Sequence, residues 1–471
     1  MTNEGIWRVN ATRAKPNAPQ WRSHFSLTVP AVFSFTRRKL DSQSYSTYLG
    51  GINMTSRERV RTALSHREPD RVPIDFGGMG STCIMTIAYN KLKKHLGMEK
   101  RPSRMYDTGQ QLAEPEAELL ERFHVDVIAL SRTYSPVTDP ELSREYEAKY
   151  GGSWKPWTLA DGSTCEVPAD FNPEPDGKGG WVLKNERGVY AAMPKGALYF
   201  DASGPGAHEL RHAETVEDLA SWKLHFAKAE QFSSLREKAK WLHENTDFAL
   251  MCGFGGGALE PAQGLRGWGQ WMMDMAADRT LADEIVGRLT EANVHNVKLF
   301  MEAVGPYLDV IQMGDDLGTQ AGPQMSPAMY HEIIHPAHKA VYQAARAAHD
   351  YPFIFLHSCG GIQPLIPDLI DEGVEVLNPV QTNAAGMDPA GLKRDFGGKI
   401  AFWGGGVEVA GALTDGSPED VKRQVRERIR IFAPGGGYVF NQVHNIQANV
   451  PPENIVAMFD AAYEYGKYPI S

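Results

Sequence analysis

Short apolar segments alternate with amphipathic segments along most of the chain, and this alternation is the clearest structural signal in the sequence. Each apolar segment is followed by Gly, Asp or Asn, which is typical of a buried strand that ends in a loop. The predicted strands cover residues 125–130, 248–254, 308–313, 353–356, 374–377, 400–403 and 438–440, with residues 72–76 as a candidate eighth strand.

The segments between these strands carry apolar residues at helical spacing. The predicted helices cover residues 281–304, 327–349, 364–372, 389–396, 418–432 and 451–465. Three of them open on an N-cap residue followed by proline, at Ser326, Asp388 and Ser417. A strand, a loop and a helix, repeated about eight times, predict an α/β fold of the TIM (β/α)8 barrel type. A doubly wound open sheet is the alternative, but no glycine-rich phosphate loop follows the first strand.

Two segments depart from this rhythm. Residues 135–215 are rich in Gly, Pro and Trp and contain hairpin-like pieces such as residues 180–190, which predicts a small β-rich insertion in an early βα loop. Residues 1–53 carry seven Lys or Arg and only two acidic residues. We predict that they form a disordered or non-native extension that activity does not need, with an organellar transit peptide as the alternative. The barrel is expected to span residues 54–471, because Thr55 or Ser56 can cap a helix that runs through Leu64.

Composition narrows the possible partners. The 471 residues are 42% hydrophobic and 23% charged, and no stretch reaches the roughly 18 apolar residues of a membrane helix. The net charge of −10, without a basic stripe, argues against nucleic acid. Four widely spaced cysteines form no disulfide framework and fit a reducing cytoplasm. We therefore expect a cytoplasmic protein that acts on a small molecule, without a membrane or nucleic-acid partner; a homodimer remains open.

Polar residues and glycines gather where the predicted strands end. In a barrel the carboxyl ends of the strands carry the active site, so this bias predicts an enzyme. We predict Asp315 and Asp316 as catalytic residues. The alternative for this pair is one exposed Asp and one Asp that caps a helix or braces a loop. The predicted substrate-binding residues are Asp126, Asn378, Gln381 and Asn441.

His357 and Cys359 stand at the end of the predicted strand 353–356, before Gly360 and Gly361. Alternate residues of a strand point the same way, so an imidazole and a thiol should lie side by side, which suits a soft divalent metal such as zinc. His444, on or just past the last strand, would complete three ligands and leave one position open, as in a catalytic zinc site. The alternative is a buried structural Cys beside a hydrogen-bonded His.

Three further histidines, His331, His335 and His338, lie on a predicted helix. We interpret them as surface or packing residues.

The chain from about Met54 to Tyr468 resembles the uroporphyrinogen decarboxylase-like superfamily. The matching segments are residues 56–64, 69–73, 355–361, 402–406 and 452–458. This resemblance implies a distorted TIM barrel with its cleft at the carboxyl ends of the strands.

Two branches of that superfamily compete. Uroporphyrinogen decarboxylase itself works without metal or cofactor and has an Arg-rich segment near its amino terminus; residues 70–78 stand in its place here and lack that pattern. Cobalamin-dependent methyltransferases bind zinc through a His-x-Cys pair and a later Cys. His357 and Cys359 match the pair, whereas His444 stands where the later Cys is expected, as in the decarboxylases.

The methyltransferase branch is the closer of the two. It implies zinc at His357, Cys359 and His444, and cobalamin supplied by a partner corrinoid protein. The predicted reaction moves a methyl group between a small methylated molecule or a thiol and that corrinoid protein. A neutral His in place of a thiolate leaves the zinc more positive, which favours demethylation of a methylated small molecule. The alternatives are a cofactor-free decarboxylase acting on a non-standard acid, with Asp126 or Asp315 as the key acid, and a non-catalytic binding barrel.

Overall fold

The computed structural model describes residues 54–277 and 279–470; the predicted extension, residues 1–53, lies outside the described residues. Seven parallel strands form one curved sheet in which each strand pairs with the next one along the chain. Strands and helices are numbered in chain order. The strands of this sheet are β4 (Val127–Ala129), β11 (Ala249–Gly255), β12 (Val310–Gly314), β15 (Phe353–His357), β16 (Val376–Asn378), β17 (Ala401–Trp403) and β18 (Tyr438–Val439).

Residues 72–76 lie between the first and last strands of this sheet. Ile74 pairs in parallel with Phe440 beyond β18, and Asp75 pairs in parallel with Val127 of β4. Each pairing is a single bridge, so this segment is the most weakly hydrogen-bonded of the eight. Its position makes the sheet a TIM-like barrel, which confirms the predicted fold class.

The interior of the barrel is a packed core. Side chains from alternate positions of the strands meet there, among them Met251, Phe355 and Trp403, all fully buried. The rings of Phe355 and Trp403 meet edge to face, 5.4 Å apart. Val60 and Leu64 of the first helix join this cluster. Because the interior is filled, a ligand has room only at the ends of the barrel.

The helices begin largely where the sequence predicts. The side chains of Ser326, Asp388 and Ser417 each accept a hydrogen bond from the first turn of their helix. The helices are α1 (Ser56–Leu64), α2 (Thr86–Leu96), α3 (Ala117–Arg122), α4 (Pro140–Tyr150), α5 (Ser233–Asn245), α6 (Leu259–Arg266), α7 (Trp268–Ala277), α8 (Arg279–Val304), α9 (Pro327–Ile333), α10 (His335–Ala348), α11 (Ile366–Glu372), α12 (Pro389–Phe396), α13 (Pro418–Phe432) and α14 (Pro452–Tyr465).

The prediction of one continuous helix over residues 327–349 was wrong. The structure has two helices, α9 and α10, which meet at Ile334. Pro336 explains the break, because it has no backbone N–H to donate and its ring collides with the carbonyl one turn earlier.

The insertion follows β4 and is β-rich, as predicted. It contains the hairpin β5 (Trp154–Thr158) and β6 (Thr164–Pro168), and a sheet of β7 (Glu174–Pro175), β8 (Trp181–Asn185), β9 (Gly188–Met193) and β10 (Asp201–Ala202). Tyr199 of this insertion hydrogen-bonds Gln447, a residue of the loop that follows β18. The insertion therefore reaches the carboxyl end of the barrel.

Two small antiparallel pairings complete the strands. They are the sheet of β1 (Ile84–Met85), β2 (Met105–Asp107) and β3 (Leu112–Ala113), and the hairpin of β13 (Gly318–Thr319) and β14 (Gly322–Pro323). None of the helices in the described ranges combines the length and apolar composition that a membrane crossing requires.

Candidate metal centre

The structure brings His357, Cys359 and His444 together at the carboxyl end of the barrel. His357 is the last residue of β15, Cys359 lies two residues further on, and His444 belongs to the loop after β18. One ligand atom from each residue lies within 4.8 Å of the other two. His357 Nε2 is 3.5 Å from Cys359 Sγ, and the two imidazole rings are 5.9 Å apart. All three side chains are half-buried, so they are held in place and still reachable from the mouth.

The hydrogen bonds around His357 determine which ring nitrogen is free. The Nδ2 amide of Asn378 donates to the carbonyl of Trp403 at 2.9 Å, so its Oδ1 must face the other way. That oxygen lies 2.7 Å from His357 Nδ1, and an oxygen can only accept. Nδ1 therefore carries the proton, and Nε2 presents a lone pair beside Cys359. Metal-binding histidines are held in the same way, with the second nitrogen donating to a fixed oxygen.

His444 is held by the same device. Its Nδ1 lies 3.0 Å from Asn445 Oδ1. Asn445 in turn donates through Nδ2 to Gln110 Oε1 at 2.8 Å, which fixes the orientation of the amide. His444 Nδ1 is therefore the donor, and its Nε2 is the nitrogen left to bind a ligand.

The ionisable groups around the three side chains favour the binding of a cation. Burial raises the pKa of the Cys359 thiol, and the negative charges of Asp316 and Glu260 raise it further. Burial lowers the pKa of His444, and the neighbouring His357 acts in the same direction. The protein alone therefore keeps the thiol protonated and His444 neutral. A divalent cation reverses the first effect, because a coordinated thiol loses its proton, while a neutral imidazole is already the binding form. The three residues thus fit a zinc ion in donor type, tautomer and charge.

Asp316 and Glu260 form the acidic side of the site. Asp316 Oδ1 accepts a hydrogen bond from the Cys359 backbone N–H at 2.8 Å and lies 3.6 Å from His357 Nε2. Glu260, in the first turn of α6, accepts from the Asp316 backbone N–H at 2.9 Å. Partial desolvation by the surrounding protein, together with the charges of Asp316 and Asp315, raises the pKa of Glu260 to about 7, although the residue remains exposed to solvent. A carboxyl group with this pKa can both give and take a proton near neutral pH.

Sequence reasoning missed Glu260. The glycine-rich residues 253–257 marked the end of its strand, and a Glu three residues beyond them, at a helix start, was the available signal. That signal is weak, because acidic residues are common in the first turn of any helix.

Asp315 does not reach the site. Its side chain is fully buried and accepts hydrogen bonds from the backbone N–H groups of Ala258, Leu259 and Glu260, at the amino terminus of α6. It also lies 2.9 Å from Nε2 of the buried His338. The prediction that Asp315 is catalytic therefore does not match its position. Of the predicted pair, Asp315 is the helix-capping residue and Asp316 is the one in the mouth.

The position of Asp126 does not match its predicted role in substrate binding either. Asp126 directly precedes β4, so it lies at the amino end of that strand, on the opposite side of the barrel from the mouth. Its carboxylate is fully buried and paired with Arg59 and Arg71, at 2.6 and 2.7 Å. It also accepts a hydrogen bond from the backbone N–H of Ile74. These contacts hold the weakly paired segment 72–76 in the barrel.

The other predicted substrate-binding residues lie at the correct end of the barrel. Asn378 is fully buried and orients His357, as described above. Gln381 accepts a hydrogen bond from the backbone N–H of Gly360 at 2.9 Å and so supports the loop that carries Cys359. Asn441 is buried, and its Oδ1 has no hydrogen-bond partner among the residues the structure describes. Asn441 is therefore the one of the three whose side-chain oxygen is an unused, buried acceptor.

Comparison with known proteins points to one family. The sequence profile described as Uroporphyrinogen decarboxylase (URO-D) matches residues 199–465, more than half of the chain. A uroporphyrinogen decarboxylase of Legionella pneumophila (strain Corby) is 28% identical over 144 residues, which cover 30% of this chain and 38% of the relative. One of Serratia proteamaculans (strain 568) is 35% identical over 100 residues, covering 20% of this chain and 27% of the relative. The chain thus aligns with well under half the length of these relatives.

A solved structure extends the likeness to the whole fold. It is a methyltransferase from Methanosarcina mazei, which superposes with a TM-score of 0.51 over 88% of this chain and 99% of its own. Sequence identity between the two is 17%, so the likeness concerns the fold alone.

Proposed function

The chain belongs to the uroporphyrinogen decarboxylase (URO-D) family of enzymes, and from this premise we propose that it is a zinc-dependent methyltransferase. The proposed reaction moves a methyl group from a small methylated molecule to a corrinoid protein, which supplies cobalamin. The observation that supports this proposal is the convergence of His357, Cys359 and His444, whose ligand atoms lie within 4.8 Å of one another. Three protein ligands leave one position for substrate, as catalytic zinc requires.

The choice of substrate follows from the ligand set. One thiolate and two neutral imidazoles would leave a zinc ion with a net positive charge, whereas a second thiolate would cancel it. When bound, such a zinc supplies Lewis acidity toward an oxygen or nitrogen atom that carries a methyl group. We therefore infer a methylated oxygen or nitrogen compound as the donor.

Glu260 supplies the proton in this proposal. With a pKa of about 7, about half of it is protonated at neutral pH, whereas an ordinary glutamate is almost fully ionised. When the bond between the methyl carbon and the oxygen or nitrogen atom breaks, its electron pair stays on that atom, and Glu260 gives the atom a proton. The methyl group would pass to the corrinoid protein, whose reduced cobalamin would supply the electron pair of the new bond. Asp316 holds Glu260 through its backbone N–H and raises its pKa through its side chain.

A second candidate function is a metal-free decarboxylase. It is favoured by the two relatives described above, both of which are uroporphyrinogen decarboxylases. The charges that act on Glu260 and Cys359 come from acidic residues, and neither Arg nor Lys is among them. Such a mouth repels a substrate with many carboxylates, so we place this function second.

The test begins with the metal content of purified protein by mass spectrometry. Wild type is expected to hold zinc, and Cys359→Ala and His444→Ala to lose it. His95→Ala is the matched control, because His95 is an exposed histidine of α2, remote in sequence from the ligands. Zinc-loaded protein is then assayed for methyl transfer to a corrinoid protein, with methyl ethers and methylamines as donors. Folded protein that neither binds zinc nor transfers methyl groups would move the assignment to the decarboxylase.

A further inference from the structure

A second group of metal-binding side chains lies in the outer helical layer. His331 is on α9, His335 is the first residue of α10, and Asp368 is in the first turn of α11. One ligand atom of each lies within 4.8 Å of the other two. This group shares no residue with the set at the barrel mouth.

The spacing of these atoms is close to that of a metal site. His331 Nδ1 lies 3.2 Å from Asp368 Oδ1. Two ligands of one tetrahedral zinc, each bound at about 2.0–2.1 Å, are separated by about 3.3 Å. The atoms that now share a proton are therefore at the right distance to share a metal ion. His331 is exposed and can adjust to complete the geometry, whereas His335 is buried and fixed.

His331 and His335 lie on the two sides of the junction between α9 and α10, and the junction keeps them side by side. The rings of His331 and His335 are nearly parallel, with centroids 4.7 Å apart and an angle of 24° between them. Two histidines four residues apart on one helical face are a known arrangement for binding zinc.

A neighbouring acidic residue already has its own partners. Asp371 accepts from Lys339 Nζ at 2.7 Å and lies 3.0 Å from His335 Nε2. Lys339 neutralises Asp371, whereas Asp368 contacts His331 of the cluster. The interaction with Asp371 holds the His335 ring, much as a carboxylate does behind a zinc-bound histidine.

We propose that His331, His335 and Asp368 form a second site for a divalent transition metal such as zinc. Water completes the coordination. The ion joins the α9–α10 junction to α11, the helix that follows the strand bearing His357. Its role is to fasten these helices together, because the site lies outside the barrel mouth.

The test is a titration of chelator-treated, full-length protein with Co²⁺ and then Zn²⁺. A thiolate ligand gives cobalt an intense charge-transfer band, which nitrogen and oxygen ligands lack. We therefore expect the outer site to bind one equivalent of Co²⁺ without producing this band. His331→Ala and Asp368→Asn should each lose that equivalent, while His95→Ala keeps it. Both substituted side chains are at least partly exposed, so the fold should survive.

The two proposals fail separately. Metal that remains in Cys359→Ala but is lost in His331→Ala supports the outer site even if the mouth binds none. Metal binding in His331→Ala and Asp368→Asn that equals wild type in stoichiometry and affinity overturns the outer site, whatever the result at Cys359. A second readout is thermal unfolding, in which Zn²⁺ should raise the Tm of Cys359→Ala but not of the double variant Cys359→Ala/His331→Ala.

Discussion

The side chain of Asn378 fixes the tautomer of His357. Their residues are register partners on the adjacent parallel strands β15 and β16, and Oδ1 of Asn378 lies 2.7 Å from Nδ1 of His357. Asn378 cannot flip, because its amide nitrogen is held by the carbonyl of Trp403 on the next strand. Three neighbouring strands thus combine to point one imidazole nitrogen at Cys359.

This relationship predicts that Asn378 controls metal affinity without touching the metal. Asn378→Ala should weaken zinc binding about 10- to 100-fold, the usual effect of removing a residue that orients a metal ligand. Asn378→Asp keeps the acceptor for Nδ1 but loses the donor to the Trp403 carbonyl, so it should bind zinc more tightly than Asn378→Ala and less tightly than wild type. Competition against a chelator of known affinity measures both. Equal losses in the two variants would mean that the acceptor for Nδ1 does not by itself set the zinc affinity.

The local sequence was sufficient to predict the His357–Cys359 pair but not its setting. Two residues apart at a strand end are neighbours in any strand, so a local pattern predicts them. Glu260 and Asp316 come from other strands, and only the closed barrel brings them near Cys359. Nothing local to Glu260 distinguishes it from an ordinary helix-start glutamate.

For Asp126, a small error in the predicted start of a strand changed the function that we predicted for the residue. The apolar run predicted a strand over residues 125–130, whereas the hydrogen-bonded strand is Val127–Ala129. Strand limits read from sequence are uncertain by a few residues. In so short a strand, that uncertainty decides whether a residue lies at the catalytic or the opposite end of the barrel.

The corrected position predicts that Asp126 acts on stability. Asp126→Asn would leave Arg59 and Arg71 buried without their shared carboxylate. Breaking a buried ion pair by removing one partner costs about 3–5 kcal/mol in the free energy of unfolding. Urea denaturation measures this loss, while the zinc content of the remaining folded protein should be unchanged. Asp316→Asn, at the partly exposed mouth, is the control and should change stability little.

Because of His338, we expect the free energy of unfolding to fall as the pH becomes alkaline. Burial alone would lower its pKa, but hydrogen bonds to Asp315 and Glu372 and their negative charges outweigh burial and raise it to about 10. The pKa of this histidine is higher in the folded than in the unfolded state, where it is 6.5. Its protonated form therefore stabilises the folded protein, and this stabilisation is complete below pH 6.5. That stabilisation is lost as the pH rises through about 10.

We therefore expect the free energy of unfolding of wild type to fall between pH 7 and pH 10 by more than that of His338→Gln. The variant should already be less stable at pH 7 by about 3 kcal/mol or more, because Asp315 and Glu372 lose their buried cation. Denaturation curves for both proteins across this range give the comparison, and other groups that titrate there cancel in the difference. Parallel curves would mean that His338 is neutral in the folded protein.

Glu260 should set the pH dependence of methyl transfer. As a proton donor with a pKa of about 7, it predicts a rate that is highest below that pH and falls as the pH rises through it. Glu260→Gln should lower the rate about 100-fold or more and remove this fall, without loss of zinc. Gln keeps an oxygen for the backbone N–H of Asp316, so the loop should stay in place.

Asp316→Asn is the decisive companion variant, because the charge of Asp316 raises the pKa of Glu260. With that charge removed, the fall in rate should move to lower pH. A profile that ignores both substitutions would assign the proton to another group.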